Sequence, residues 1–294
     1  MRVLIFGATG ILGHKLLQKL SGDFEVYGTV RREFDFVKAI PCWTAGGMVE
    51  NVAVESRASV ARAIRTVRPD AVVNCIAGPP WVQTREELRA CIAVNARFPL
   101  DLAALCQSAE ARLIHISSDG VFAGTRGFYT ECDPCDANDA YGKAKFLGEV
   151  AGPNCLTLRL SLIGRDIRSP KSGLLEWLLS QQGRSIKGYR RSLFSGLTSC
   201  AVAQIIRRLL AGHAGLSGIF HVASRPVSKL ALLEAIRDRF HLRIGIEPDD
   251  SIACDRSLDG SAFQDRTGIE LPSWPGMIEE LYEDSRCYAA TVST

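Results

Sequence analysis

No stretch of the 294 residues approaches the roughly 20 unbroken apolar residues that a membrane-spanning helix needs. The opening MRVLIFGATG is apolar, but Gly7 and Gly10 interrupt it and no cleavage signature follows, so it reads as a strand entering a glycine turn rather than a signal peptide. Charge of one sign is also scarce. The net charge of +3 is too small an excess for nucleic-acid binding, which calls for a clustered basic face. Internal repeats and low-complexity tracts are absent. The ten cysteines lack the short secreted setting of a disulfide framework. Cys75, Cys91, Cys106 and Cys155 lie in apolar surroundings, as small core residues do. Cys132 and Cys135 form a lone CxxC, and no second Cys or His pair at suitable spacing completes a four-ligand zinc site. These absences predict a cytoplasmic chain with reduced thiols and no metal site, whose partners are neither nucleic acid nor membrane.

What is present is alternation. Short β-rich apolar runs at Val3–Phe6, Val26–Val30, Ala71–Cys75, Leu113–Ser117 and Cys155–Leu160 are separated by helical patterns at Ile11–Leu20, Ala58–Thr66, Leu88–Ala109 and Tyr141–Val150. Such alternation predicts βαβ units and an α/β fold, a doubly wound parallel sheet of Rossmann type with helices on both faces. A further strand is expected near Val52–Val54. After Arg165 the pattern loosens, with helices near Leu174–Leu179, Ala201–Ala211, Lys229–Phe240 and Met277–Tyr282 and a strand at Gly218–Val222. The expected division is a dinucleotide-binding domain over residues 1–164 and a smaller, mainly substrate-binding lobe over 165–294, some segments of which return to the first domain. From about Ser285 the chain reads as a poorly ordered tail.

The first helix opens on Gly7-Ala8-Thr9-Gly10-Ile11-Leu12-Gly13. Glycine allows the sharp turn and the close approach of backbone to a pyrophosphate, and the helix N-terminus offers free N–H groups and a favourable dipole to the anion. Glycine turns also link strands and helices for structural reasons alone. Here a strand precedes, a helix follows and a βαβ unit continues, which is the context that dinucleotide binding requires. The second strand ends in Thr29-Val30-Arg31-Arg32, without the acidic residue that accepts hydrogen bonds from the ribose of NAD. A guanidinium can pair with a 2′-phosphate and stack on adenine, so Arg31, with Arg32 and Lys38 as weaker candidates, points to NADP(H), with NAD(H) as the alternative. Solvated loop charges are the plain reading of the same residues.

The sequence Tyr141-Gly142-Lys143-Ala144-Lys145 contains Tyr-x-x-x-Lys, which shares one helix face. An ammonium beside the phenol would favour phenolate and bring the tyrosine into a useful range for proton transfer. Ser117 and Ser118 fall at the carboxyl end of a predicted strand, where open α/β sheets bind ligands, and either hydroxyl can steady a substrate oxygen or simply end the strand. Asn95, on the preceding helix, can anchor backbone or water near the lysine.

Together these residues resemble the extended short-chain dehydrogenases/reductases, and most closely their branch of dTDP-4-dehydrorhamnose reductases and related nucleotide-sugar epimerases and dehydratases. The likeness runs through GATGILG at 7–13, RPDAVVNCIAG at 68–78, AVNARFPLDLA at 93–103, HISSDGVFAG at 115–124, YTECDP at 129–134, AYGKAKFLGE at 140–149, GIFHVAS at 218–224 and GIELPSW at 268–274. The resemblance implies that Tyr141 is the catalytic acid/base, Lys145 its partner, Ser118 the catalytic hydroxyl and Asp119 an acid near the substrate. It implies that Gly7, Thr9, Gly10, Ile11, Leu12, Ala77 and Gly78 hold the cofactor together with Tyr141 and Lys145. A homodimer through two long helices per subunit is common in such enzymes. The implied function is NADPH-dependent reduction of a keto group on a nucleotide-linked sugar. The alternatives are an epimerase or dehydratase with bound NAD, a non-catalytic cofactor-binding regulatory subunit, and a reductase of a small non-sugar carbonyl compound. The chain departs from the branch at Ala53-Val54-Glu55, at Leu197-Thr198, and at Arg159-Leu160-Ser161-Leu162-Ile163, which lacks an expected aromatic.

Overall fold

The computed structural model describes residues 1–31, 47–78, 80–168 and 170–289. Its centre is a seven-stranded parallel sheet of β1 (Arg2–Phe6), β2 (Glu25–Thr29), β3 (Gly47–Val49), β4 (Ala71–Asn74), β5 (Arg112–Ile116), β6 (Cys155–Arg159) and β11 (Gly218–His221). The spatial order is β11-β6-β5-β4-β1-β2-β3. The chain therefore winds outward from β1 in one direction, then returns to β4 and winds in the other. The crevice beyond the strand ends at that reversal is where such sheets bind ligands.

Strand periodicity sets the two faces. Val3 and Ile5 of β1 enter one core, with Leu16, Leu17 and Leu20 of α1 (Gly13–Leu20) and Val202, Ile206 and Leu209 of α7 (Ser199–Gly212). Leu4 and Phe6 enter the other, with Val60 and Ile64 of α2 (Arg57–Val67) and Phe98 and Leu102 of α4 (Phe98–Ser108). Because both faces are covered, β1 is a continuous apolar run rather than an alternating one. A third core joins Leu175 and Leu178 of α6 (Leu174–Leu179) to Leu232 and Ile236 of α8 (Lys229–Arg239) and Leu281 of α10 (Trp274–Ala289). Small sheets frame it: β8 (Ser185–Tyr189) with β13 (Gly245–Asp249), and β9 (Ser192–Phe194) between β12 (Val227–Ser228) and β14 (Cys254–Asp255). The pair β7 (Leu162–Ile163) and β10 (Leu197–Thr198) adjoins them, and α9 (Ser261–Thr267) packs by β11. Among the described residues no helix is long and apolar enough to cross a membrane.

Three expectations need correction. The third strand is Gly47–Val49, not Val52–Val54: Val52 and Val54 are buried after the strand has ended, and the Val52 N–H donates to the Val30 carbonyl at 2.9 Å. The long helix near 88–109 is two helices, α3 (Arg85–Ile92) and α4, joined by a π-helical turn at Ala93–Arg97. Its start lies earlier because Thr84 and Glu87 form a reciprocal capping box.

The third correction concerns the end of the chain. The helix α10 continues past Ser285 to Ala289, with Ser285 and Tyr288 buried. It docks on α1 through polar side chains: Tyr288 Oη lies 2.6 Å from His14 Nε2, and the fully buried Lys15 ion-pairs with Asp284 at 2.6 Å. Burial, with Lys15 adding to it and Asp284 and Asp166 opposing, lowers the His14 pKa to about 4. The unfolded chain therefore binds a proton at His14 below about pH 6.5, where the folded chain does not. This group withdraws stability on the order of 3 kcal/mol as pH falls from 6.5 to 4. The expected result is that urea-unfolding free energies of wild type and His14→Gln converge across that window; curves that stay parallel would contradict it.

Candidate active site

The glycine loop leaves β1 and turns directly into α1. Gly7 has φ +85°, and a Cβ there would stand 2.9 Å from the Ile76 side chain. A Cβ on Gly13 would stand only 2.0 Å from the Gly7 carbonyl oxygen, so the first turn of α1 can abut the loop only if that residue is glycine. No side chain caps the start of α1, which leaves its first N–H groups to the loop. This is a cradle of the kind a dinucleotide pyrophosphate occupies, and the residues present fit that group.

The facing wall leaves β4. Asn95, carried on the π turn, accepts from the Gly78 N–H at 3.0 Å and donates to Cys91 Sγ at 3.3 Å. Asn74 accepts from the Ile76 N–H at 3.1 Å. Two buried asparagines thus fix the path of Ala77 and Gly78, and Asn95 anchors backbone, as the sequence suggested. Gly148 lets the end of α5 (Ala140–Leu147) pass that turn, since a Cβ there would stand 1.9 Å from the Asn95 carbonyl oxygen.

The loop and this wall bound a cleft of about 800 Å³. It is lined by Gly7, Thr9, Gly10, Ile11, Leu12, Arg31, Ala77, Gly78, Ser118, Tyr141 and Lys145, so it brings together every sequence-predicted site residue except Asp119, which is half-buried beside Ser118, and Arg32, which with Lys38 lies outside the described residues.

At one end Asp139 caps α5 by accepting from the Gly142 N–H at 2.7 Å. A Cβ on Gly142 would stand 2.1 Å from the Gly120 carbonyl oxygen, so the glycine after Tyr141 lets the helix press against the turn that carries Ser118. Ser118 Oγ accepts from the Gly120 N–H at 3.0 Å and lies 3.2 Å from Asp119 Oδ1. Lys145 is buried and donates to the Ile116 carbonyl at 2.7 Å; burial lowers its pKa to about 8, against the attraction of Glu149. The Tyr141 phenol is pushed up to about 12, chiefly by burial, with the Ser118 hydroxyl pulling the other way and Asp119 adding to the rise. This reverses the expectation that the lysine brings the phenol down. Spacing on a helix places the two groups on one face, but desolvation of the phenol is the larger effect and the ammonium is engaged with a carbonyl.

The two serines separate. Ser117 Oγ donates to Glu149 at 2.7 Å, and Glu149 forms a two-pronged ion pair with Arg159, both contacts at 2.8 Å, with both side chains buried. Both residues border the cleft, but the Ser117 hydroxyl is engaged in that buried network. Asp119 is raised by burial, opposed by Lys229, Arg256 and the hydroxyls of Ser118 and Ser161. Ser161, in the segment lacking an aromatic, lines the cleft together with Leu160 and Leu162.

At the other end Arg31 pairs with Glu55 at 2.7 Å, both exposed, near Val52 and Val54. Sequence reasoning missed Arg168 and Ser172, which also line the cleft. Buried Asp166 holds both, at 2.9 and 2.8 Å to the guanidinium and 2.7 Å to the hydroxyl. One acid organising an irregular loop leaves no periodic signal. Arg190 pairs with Asp250 at 2.9 Å and is not among the cleft residues.

Known proteins resemble this chain along most of its length. A probable low-salt glycan biosynthesis reductase of Haloferax volcanii is 31% identical over 235 residues, 76% of this chain and 75% of the relative. A dTDP-4-dehydrorhamnose reductase of Burkholderia thailandensis is 27% identical over 304 residues, 93% of this chain and 95% of the relative. The crystal structure of a dTDP-4-dehydrorhamnose reductase of Bacillus anthracis in complex with NADP superposes with a TM-score of 0.78 at 21% identity, over 97% of this chain and 99% of the other. The family model for the RmlD substrate binding domain matches residues 1–287, and the chain belongs to that family.

Proposed function

We propose that this chain is an NADPH-dependent reductase of a keto group on a nucleotide-linked sugar. The observation that carries the reading is the convergence of a glycine cradle and the Ser118, Tyr141 and Lys145 group on one cleft. The substrate class is supported by the likeness to the named sugar and glycan reductases. In this reading residues 1–164 hold the dinucleotide and much of 165–294 holds the sugar.

Gly7, Thr9, Gly10, Ile11 and Leu12 cradle the pyrophosphate, Ala77 and Gly78 form the facing wall, and Arg31 meets the 2′-phosphate. When bound, the dinucleotide supplies the hydride. Tyr141 holds the proton that the substrate oxygen takes, and a phenol at about 12 is protonated at neutral pH, as a proton donor in a reduction must be. Lys145 places a positive charge by the nicotinamide ribose. Ser118 donates to the substrate oxygen as charge develops on it, and Asp119 accepts from a sugar hydroxyl.

Fluorescence titration with NADPH and NADH side by side tests the cofactor assignment. NADPH is expected to bind more tightly by about 10- to 100-fold, the worth of a charge-assisted contact, and Arg31→Ala is expected to remove most of that difference while leaving NADH binding unchanged. Preference for NADH, or purification with tightly held NAD⁺, would overturn the assignment and favour an epimerase or dehydratase.

A further inference from the structure

The hydrogen bonds between α1 and α10 include a relay that passes from Lys15 to Tyr288 and back to His14. The Gly10 carbonyl can only accept, so His14 Nδ1, 2.7 Å away, carries the ring proton. The ring is neutral, so Nε2 is an acceptor, and the Tyr288 hydroxyl donates to it at 2.6 Å. The Tyr288 oxygen in turn accepts from Lys15 Nζ at 2.7 Å, and that ammonium is anchored by Asp284 at 2.6 and 2.8 Å. Arg165 lies over the Tyr288 ring, 5.1 Å from its centroid, and the His14 ring meets the same ring edge-on at 5.8 Å. The relay starts at Lys15, passes through Tyr288 of the last helix, 274 residues from His14, and ends on the carbonyl of the second glycine of the dinucleotide loop. Leu281 and Met277 already bury α10, and the Gly10 carbonyl, which also accepts from the His14 backbone N–H at 3.2 Å, takes its second hydrogen bond from the relay.

We infer that Tyr288, held by Lys15 and Asp284, is a positioning residue for the dinucleotide loop and acts through His14, so that α10 is part of the cofactor-binding machinery. The inference rests on the dinucleotide reading of the glycine loop given above. Loss of the hydroxyl frees the His14 ring to turn, so the Gly10 carbonyl keeps only the bond from the His14 backbone N–H and more of the loop's ordering falls to the ligand.

The test is a double-mutant cycle of Tyr288→Phe and His14→Gln, read as the dissociation constant for NADPH and, separately, as the urea midpoint of the protein without cofactor. Tyr288→Phe keeps the buried ring and removes one hydroxyl. It is expected to weaken NADPH binding about tenfold. The same change made in the His14→Gln protein is expected to cost little more, because the relay is already cut. Unchanged affinity with a lowered midpoint would overturn the inference in favour of a structural bond. Affinity losses that simply add would also overturn it, since Tyr288 would then not act through His14. A wild-type protein that binds no dinucleotide overturns the reading of the loop itself, and this inference with it.

Discussion

Tyr141→Phe is expected to lower turnover by about 10²- to 10⁴-fold while leaving NADPH affinity within about twofold of wild type. The phenol is the group beside Ser118 that holds a proton at neutral pH, and burial raises it further, to about 12. Removing its oxygen removes the proton donor. It leaves the ring that packs near Gly120 and the helix that carries Lys145. Single-turnover kinetics and a parallel NADPH titration separate the two effects. Unchanged turnover would remove Tyr141 from the chemistry, and a large loss of affinity would make it a cofactor contact instead.

Glu149→Ala is expected to destabilise the protein by about 3–5 kcal/mol, the cost of leaving one member of a buried ion pair without its partner. Glu149 and Arg159 are buried side by side with two contacts at 2.8 Å. Removing the carboxylate strands the guanidinium between His221 Nε2, 3.2 Å away, and the ring of Phe122, and frees Ser117. Glu149 follows α5 by two residues and also raises the pKa of Lys145, so the pair ties the catalytic helix to β6. Urea unfolding measures the loss, and Glu149→Gln should recover part of it by keeping the hydrogen bond to Ser117. A change below about 1 kcal/mol would show that the network relaxes onto water.

Much of this was legible. The apolar runs around residues 3–6, 71–74, 112–116 and 155–159 are strands because nothing else buries four or five β-rich residues between helices. GATGILG and YGKAK announced their turns because close backbone approach demands glycine, and Gly13 and Gly142 sit where a Cβ has no room. What stayed hidden was polar or solitary. Ser285 and Tyr288 looked like tail because α10 is held there by hydroxyls and charges, which leave no hydrophobic period. Arg168 and Ser172 depend on Asp166, a buried acid in an irregular loop. The raised phenol of Tyr141 follows from burial, which residue spacing does not report. The pairing of Arg31 with Glu55 joins two loops whose approach only the folded sheet creates.

The central claim is tested most directly by mixing the protein with NADPH and a nucleotide-linked 4-keto sugar and following both compounds. The account predicts one NADPH oxidised for each keto group reduced, with wild type active and Tyr141→Phe inactive. An isomerised or dehydrated sugar formed without net NADPH consumption would contradict it.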